Sequence, residues 1–304
     1  MERTPWQDGL DRVADGLRGE ARHAEMMSQH STLKVGGAAE LFIEPLDLED
    51  LQSAVAVLAQ EEIPWIVVGG GSNLLVADAG FAGCVISLAH FNALETLPGA
   101  RLQAGAGVTT YGLTHYACDA CLTGLEFMVG IPGTFGGAVA VNAGAHGWSI
   151  LDRVDTLMTL TAAGVRERGK SELEFGYRFL KLEPGEIVVS AILSLDQGDC
   201  AEIERVMEQN LSHRKTVQRV GYPNAGCFFK NPPGQEAWRL IDQAGLRGVK
   251  VGGAQVSEVH CNFLVNTGSA TATDFLKLCD LIKDRVKSSS GIELEEEVRV
   301  VGVL

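Results

Sequence analysis

The sequence predicts an α+β protein of at least two domains, on three observations. Single hydrophobic cores stop growing near roughly 250 to 300 residues, so a chain of 304 residues needs more than one. Apolar residues recur at helical spacing in several separate stretches, with short β-type runs between them. One such run empties into three consecutive glycines, which mark a strand-to-loop junction.

The elements follow in order. Met1 to His30 is charged throughout, lacks the apolar core of a signal peptide, and reads as an extension (1–30) in which order is least expected. Asp47 can cap a helix through about Glu62, with Leu51, Val55 and Leu58 on one face and Pro64 ending it. Trp65–Val68 reads as a buried strand feeding the loop Gly69-Gly70-Gly71-Ser72-Asn73. Glycine and alanine dominate from Leu102 to about Val165, and Val129–Ala138 has too many permissive residues for a regular element, so it is expected to be a packed loop. Short β-type runs follow at Asp155–Leu160 and Ile187–Leu195, with a domain boundary near Gln197–Asp199. Beyond it, helices are predicted over Ala201–Val217, Glu236–Ala244 and Thr273–Val286, the second stopped by Gly245 in the place that favours glycine. The chain closes in a predicted strand, Ile292–Leu304, that puts Glu293, Glu295, Glu297 and Arg299 on one face.

The charge balance excludes some partners. With 25 basic and 39 acidic residues the net charge is −14, spread along the chain, and such a surface repels nucleic acid and anionic membranes. No apolar run approaches the roughly 20 residues of a bilayer span. Seven cysteines, at 84, 118, 121, 200, 227, 261 and 279, form no regular framework, which suits a reducing compartment, free thiols and a cytoplasmic location.

Several motifs bear on chemistry. Consecutive glycines after a strand let backbone N–H groups cradle a pyrophosphate, although the loop taken alone fits a structural tight turn equally well. It is not the Rossmann fingerprint, because Leu74 stands where a third glycine is required. A second glycine loop at 130–137, able to close over the same ligand, tips the reading toward a bound nucleotide. His115, Cys118 and Cys121 are better read as packed side chains than as metal ligands, since no second Cys/His pair lies near them at zinc spacing. No nucleophilic-serine elbow is present. Individually, Arg178 after a Phe-Gly turn reads as a surface charge, Glu295–Glu297 as a solvated edge, and Cys227 as a small buried hydrophobe.

Taken together these pieces resemble a known family. In order they are Ser31–Gly37, Gly69–Leu75, Gly130–Ala138 with Asn142-Ala143-Gly144, Phe175–Arg178, Gly226–Pro232, Leu240–Leu246, His260–Asn266 and Leu294–Arg299. From about His30 to Val303 the chain resembles the UDP-N-acetylenolpyruvoylglucosamine reductases, the MurB flavoenzymes of bacterial cell-wall synthesis, in their shorter form. The resemblance implies an FAD-binding domain of the vanillyl-alcohol-oxidase type with two subdomains (31–198), followed by an α+β substrate domain (199–304). It implies non-covalent FAD held at Gly69, Gly70, Gly71, Ser72, Asn73, Gly133, Thr134, Gly136 and Gly137, with NADPH as reductant and no metal. The family's catalytic positions fall on Arg178, Cys227 and Glu297, with Glu295 and Glu296 as the fallback in a shifted register. Tyr177 would support Arg178, and Lys215, Lys230, Asn231 and Arg299 would face the UDP-sugar or NADPH. A monomer is the expected state.

One departure matters, because the family usually carries serine where this chain has Cys227. In the implied reaction, hydride reaches C3 of the enolpyruvyl ether and residue 227 protonates C2. A thiol, with a reference pKa near 8.5, is a far stronger acid than an alcohol. Beside a guanidinium it is also drawn toward thiolate, which is prone to oxidation. The competing readings are an FAD oxidase of the same superfamily, acting on a sugar or hydroxy acid, and a non-catalytic nucleotide-sugar-binding relative. Arg178 and Glu297 both stand, which weighs against the second.

Overall fold

A computed structural model of the chain describes residues 6–218 and 220–302. It divides into two compact units, each discontinuous in sequence. The first comprises Met1–His23, Leu41–Gly70 and Gly83–His213; the second comprises Ala24–Glu40, Gly71–Ala82 and Arg214–Leu304. The sequence had suggested three consecutive segments, whereas here the chain passes back and forth inside the strands Glu20–Met26, Ala38–Glu44 and Phe81–Ser87. With Trp65–Val68 these form a four-stranded sheet in the order Glu20–Met26, Ala38–Glu44, Phe81–Ser87, Trp65–Val68. Trp65–Val68 runs parallel to Phe81–Ser87, Trp65 opposite Cys84.

In the first unit, helix α1 (Gln7–Gly16) buries Leu10 and Val13, and helix α2 (Leu48–Gln60) buries Leu51, Ala54, Val55 and Leu58 on a single stripe. Asp47 caps α2 as expected, accepting from the Asp50 N–H at 3.0 Å. The start of the chain is thus more ordered than expected from residue 6 onward, because two helical turns carry core residues. Met1–Pro5 lie outside the described residues.

A five-stranded antiparallel sheet follows, in the order Gly164–Gly169, Val154–Thr161, Ile187–Ser194, Arg101–Gly105, Leu94–Leu97. Its buried face, through Leu102, Leu157 and Leu193, shares a core with helix α3 (Thr110–Asp119) and helix α4 (Phe135–Ala140). Residues 129–134 are irregular as expected, but helix α4 corrects the expectation of a loop over the remainder of Val129–Ala138. Thr134 caps it by accepting from Gly137 N–H, and burial of Phe135 and Val139 outweighs the poor helix propensity of its glycines. Helix α5 (Cys200–Val217) lays Ile203 and Met207 on Val129, with Cys118 packed beside them.

The cysteine reading also needs correction, since Cys121 and Cys200 form a disulfide with their Cα atoms 4.6 Å apart. The two lie 79 residues apart in sequence, so no spacing rule could have paired them. What aligns them is the short antiparallel pairing of Leu122–Thr123 with Asp196–Gln197.

The second unit is a four-stranded antiparallel sheet, Asn224–Cys227, Phe263–Asn266, Ala254–Val256, Lys250–Val251, covered by helix α6 (Ala237–Gln243) and helix α7 (Ala272–Ser290). Its core holds Phe228, Phe229, Leu240, Phe275, Leu278 and Ile282. Gly245, at φ +70°, ends α6 in the conformation expected of it. The long terminal strand is shortened to Arg299–Val301, which pairs in parallel with Leu74–Val76. Upstream of it the buried residues are Leu294 and Val298, four apart rather than two, so no single face alternates; Val303 and Leu304 lie outside the described residues. Among the described residues no helix is long and apolar enough to cross a membrane.

Asp78 ties the inserted segment Gly71–Ala82 to the start of α7. It accepts from Ala272 N–H (2.7 Å), Thr273 N–H (2.9 Å) and Thr273 Oγ1 (2.7 Å). Burial opposes ionisation, but the hydrogen bonds from Thr273 and Ala272 prevail and hold the carboxyl below its usual range. Asp78→Ala is expected to lower the unfolding free energy by about 1 kcal/mol, as for a lost helix cap. Because the folded-state pKa is depressed, this advantage of the wild type is present above the unfolded carboxyl pKa and fades as pH falls through the depressed one. Urea melts of both proteins across that range check it; a pH-independent difference would refute the assignment to the charged form.

Candidate functional site

The glycine loops come first. Gly69 and Gly70 leave the strand Trp65–Val68 and run directly against Gly133 and Thr134. A Cβ on Gly70 would stand 2.8 Å from Gly133 Cα, and one on Gly69 would strike Thr134 Oγ1. Gly133 is fixed in turn, its carbonyl accepting from Thr110 N–H at 3.0 Å. Only residues without side chains allow the two segments to pack this closely. Gly136 and Gly137 have defined local partners: Gly136 N–H donates to Ala106 O at 2.8 Å, and Gly137 N–H to Thr134 Oγ1 at 3.4 Å.

The rest of that loop belongs to the second unit. Gly71 has φ +63° and abuts His30 O, while its carbonyl accepts from Thr32 N–H (3.1 Å) and Thr32 Oγ1 (3.2 Å). Ser72 is half-buried. Asn73 donates from Nδ2 to Glu297 O at 3.0 Å and accepts from Arg299 N–H at 3.1 Å.

The same unit brings Cys227 and Glu297 together. Cys227 ends its strand opposite Phe263 and is half-buried. The next residue, Phe228, accepts from Glu297 N–H at 2.8 Å, and Lys230 N–H donates to Glu295 O at 2.8 Å. The thiol-bearing and carboxylate-bearing segments are therefore backbone neighbours. Of the three glutamates, Glu295 pairs with Lys230, and Glu296 pairs with Lys283 at 2.9 Å. Burial acts against ionisation of Glu296, but the hydrogen bond from Lys283, the residue's own backbone N–H, the Lys283 charge and the Cys279 thiol together outweigh it and lower its pKa. Asn231 accepts from Ala237 N–H at 3.0 Å, fixing the entry to α6; Lys215 and Arg299 are exposed.

In the first unit Tyr177 and Arg178 form the two-residue turn between Phe175–Gly176 and Phe179–Leu180, with Gly176 opposite Phe179. Arg178 has φ 55°, uncommon for a residue other than glycine. Its Nη2 donates to Gly144 O at 3.1 Å, and its guanidinium carbon lies 5.2 Å from the Tyr177 ring centroid, within cation–π range. Among the described residues no three potential metal ligands cluster.

Two asparagines, one in the motif Asn142-Ala143-Gly144 and one in His260–Asn266, are built into these supports. Asn262, buried, accepts from Phe229 N–H at 2.9 Å and donates to Phe229 O at 2.8 Å, clamping the segment after Cys227. Asn142, also buried, donates to Gly176 O at 2.7 Å, just before the Arg178 turn. The available signal was polarity out of place, since each amide lies in a mainly apolar or small-residue context where a buried polar group needs partners.

Comparison with known proteins assigns two parts along the chain. Residues 39–168 match the FAD-binding-domain model, and residues 218–301 match the model of the C-terminal domain of UDP-N-acetylenolpyruvoylglucosamine reductase. The fold is thus that of a two-part flavin-binding protein. UDP-N-acetylenolpyruvoylglucosamine reductase of Geotalea uraniireducens is 56% identical over 97% of this chain and 99% of its own length. The protein of that name from Geobacter sulfurreducens is 53% identical over 96% and 97%. The crystal structure of UDP-N-acetylenolpyruvylglucosamine reductase (MurB) from Thermus caldophilus superposes with a TM-score of 0.81 at 36% identity, covering 94% of this chain and all of that one. The chain belongs to the UDP-N-acetylenolpyruvoylglucosamine reductase family.

If the apposed glycine loops hold the flavin, Gly70→Ala must spread them, since its Cβ would stand 2.8 Å from Gly133 Cα. The variant is expected to purify with well under half the wild-type flavin per chain while keeping the far-ultraviolet circular dichroism of the wild type. Flavin absorbance after gel filtration measures it, and a fully loaded variant would count against the placement.

Proposed function

We propose that the chain is a flavoenzyme that uses NADPH to reduce UDP-N-acetylglucosamine enolpyruvate to UDP-N-acetylmuramate in peptidoglycan biosynthesis, acting as a cytoplasmic monomer. The observation that carries this reading, beside family membership, is the Phe228–Glu297 backbone bond, which sets a thiol and a carboxylate on adjoining segments. What supports a dinucleotide is the pair Gly69–Gly70 beside Gly133, backbone without side chains of the kind that cradles a pyrophosphate.

When bound, FAD would supply hydride transfer between NADPH and C3 of the enolpyruvyl group, held by the glycines at 69–71 and the segment 133–137. The chain's own residues do the rest. Negative charge builds at C2 and its carboxylate as hydride arrives at C3. Arg178 and Glu297 stabilise that enolate-like species by charge and hydrogen bonding. Cys227 delivers the proton to C2 and is left as thiolate, to be reprotonated from solvent. Proton donation of this kind is typically worth about 10² to 10⁴ in rate. Tyr177, stacked on Arg178, limits the rotamers of the guanidinium. Lys215, Lys230, Asn231 and Arg299 supply the cationic and hydrogen-bonding groups for the UDP-sugar and NADPH, in a chain whose net charge of −14 makes local positive potential necessary. Lys230 is expected to leave Glu295 when a phosphate is present, because exposed ion pairs are worth only about 0 to 1 kcal/mol.

Stopped-flow measurement of the two half-reactions tests the assignment. In Cys227→Ala, flavin bleaching by NADPH is expected at the wild-type rate, whereas reoxidation by the enolpyruvyl substrate slows by roughly 10² or more. Equal slowing of both halves, or of neither, would remove Cys227 from the role of proton donor.

A further inference from the structure

We propose that Asn142 is a positioning residue for Arg178, holding the strained turn and the carbonyl to which the guanidinium is anchored. The inference rests on the catalytic reading of Arg178 given above. Asn142 is 3% exposed, and both ends of its amide are engaged. Nδ2 donates to Gly176 O at 2.7 Å, and Oδ1 accepts from Leu151 N–H at 3.2 Å. A carbonyl can only accept and an N–H can only donate, so the orientation of the amide is fixed by its partners.

Those partners are the two supports of Arg178. Gly176 is the last residue before the Tyr177–Arg178 turn. Leu151 lies two residues beyond the hairpin of Gly144–Ala145 with Trp148–Ser149, and Gly144 O is the acceptor for Arg178 Nη2. One buried side chain thus joins the segment that sets the backbone of Arg178 to the hairpin that holds its guanidinium. The backbone it secures is strained, as Arg178 has φ 55°. A residue in that region persists only where its surroundings over-determine it.

A simpler role has to be separated from this one. Asn142 has φ 46° and follows Val141, the residue that ends α4, so it also serves as a left-handed helix terminator. Glycine fills that role at least as well as asparagine. Replacing Asn142 by glycine therefore keeps the terminator and removes the amide. Asn142→Asp keeps left-handed tolerance and the acceptor for Leu151 N–H, but sets a carboxylate oxygen against Gly176 O. The two variants approach the same loss from different directions, and either suffices if the other fails to fold.

The experiment uses the flavin-loaded protein and three readouts: the two half-reactions, amide hydrogen exchange at Tyr177 and Arg178, and the double variants with Arg178→Ala. Reoxidation by the enolpyruvyl substrate is expected to slow on the order of 10²-fold, with reduction by NADPH within about twofold of wild type. Exchange at the turn amides is expected to quicken, and in the Arg178→Ala background the Asn142 variants should cost less than about twofold more. Wild-type reoxidation in Asn142→Gly, unchanged exchange at the turn, or the full additional loss in the Arg178→Ala background would overturn this inference alone. Wild-type reoxidation in Arg178→Ala itself would overturn the reading on which it rests, and the positioning role with it.

Discussion

The parallel pairing of Leu74–Val76 with Arg299–Val301 is the contact on which the second unit's candidate site depends. Three residues a side cannot hold themselves together in water. They are held by what flanks them. Asn73 bonds to Glu297 and Arg299 before the pair, Ala77 N–H donates to Val301 O at 2.9 Å after it, and Leu75 and Val76 are fully buried. Glu297 is tied on its other side to Phe228, next to Cys227. A loop from the first quarter of the chain and two segments from the last third are thereby locked into one backbone network, which carries Cys227 and Glu297.

Each unit uses the same device to stiffen its irregular segments. Residues proposed for catalysis do not lie in the middle of long strands or helices, where repetitive hydrogen bonding would fix them. They lie in a two-residue turn and at a strand end. In both places a buried asparagine supplies the missing backbone partners: Asn142 at the Arg178 turn and Asn262 at Phe229. A buried amide is costly unless fully bonded, and fully bonded it tolerates little movement. That intolerance suits residues whose placement sets a rate.

What was legible in the sequence divides along the same line. The helix from Leu48, the strand Trp65–Val68, the helices α5 to α7 and the terminating Gly245 follow from period and capping, which are local. The family of the chain was legible too, because its motifs keep their order. The parallel pair 74–76 with 299–301, the Cys121–Cys200 disulfide and the two asparagine clamps were not, since each joins residues whose proximity is decided by the fold. Helix α4 was missed for a related reason: its glycines argue against a helix, and only tertiary burial of Phe135 and Val139 reverses the balance. The terminal segment misled in the other direction. Its alternating glutamates imitate a strand face, but Glu293, Glu295 and Glu296 are taken up by Lys287, Lys230 and Lys283, and the acidic pattern reflects ion pairs rather than a ladder.

The remaining thiols bear on why a cysteine can be tolerated at position 227. Burial pushes the thiols of Cys84 and Cys279 far above the usual range, and Glu296 adds to the effect at Cys279. Burial likewise raises Cys261, to about 11, against the opposing pull of Arg247. Cys118 is raised by burial and by the carboxylates of Glu204, Asp119 and Glu126. A thiol held protonated is a poor nucleophile and a poor target for oxidants. These cysteines are therefore inert where they sit, and Cys121 and Cys200 are already paired. Cys227 is half-buried, like Cys118, and sits at a strand end beside the segment of Glu297. The property that makes a thiol a better proton donor than an alcohol also opens it to oxidation, so a cysteine in the proposed donor role carries a susceptibility that a serine there would not.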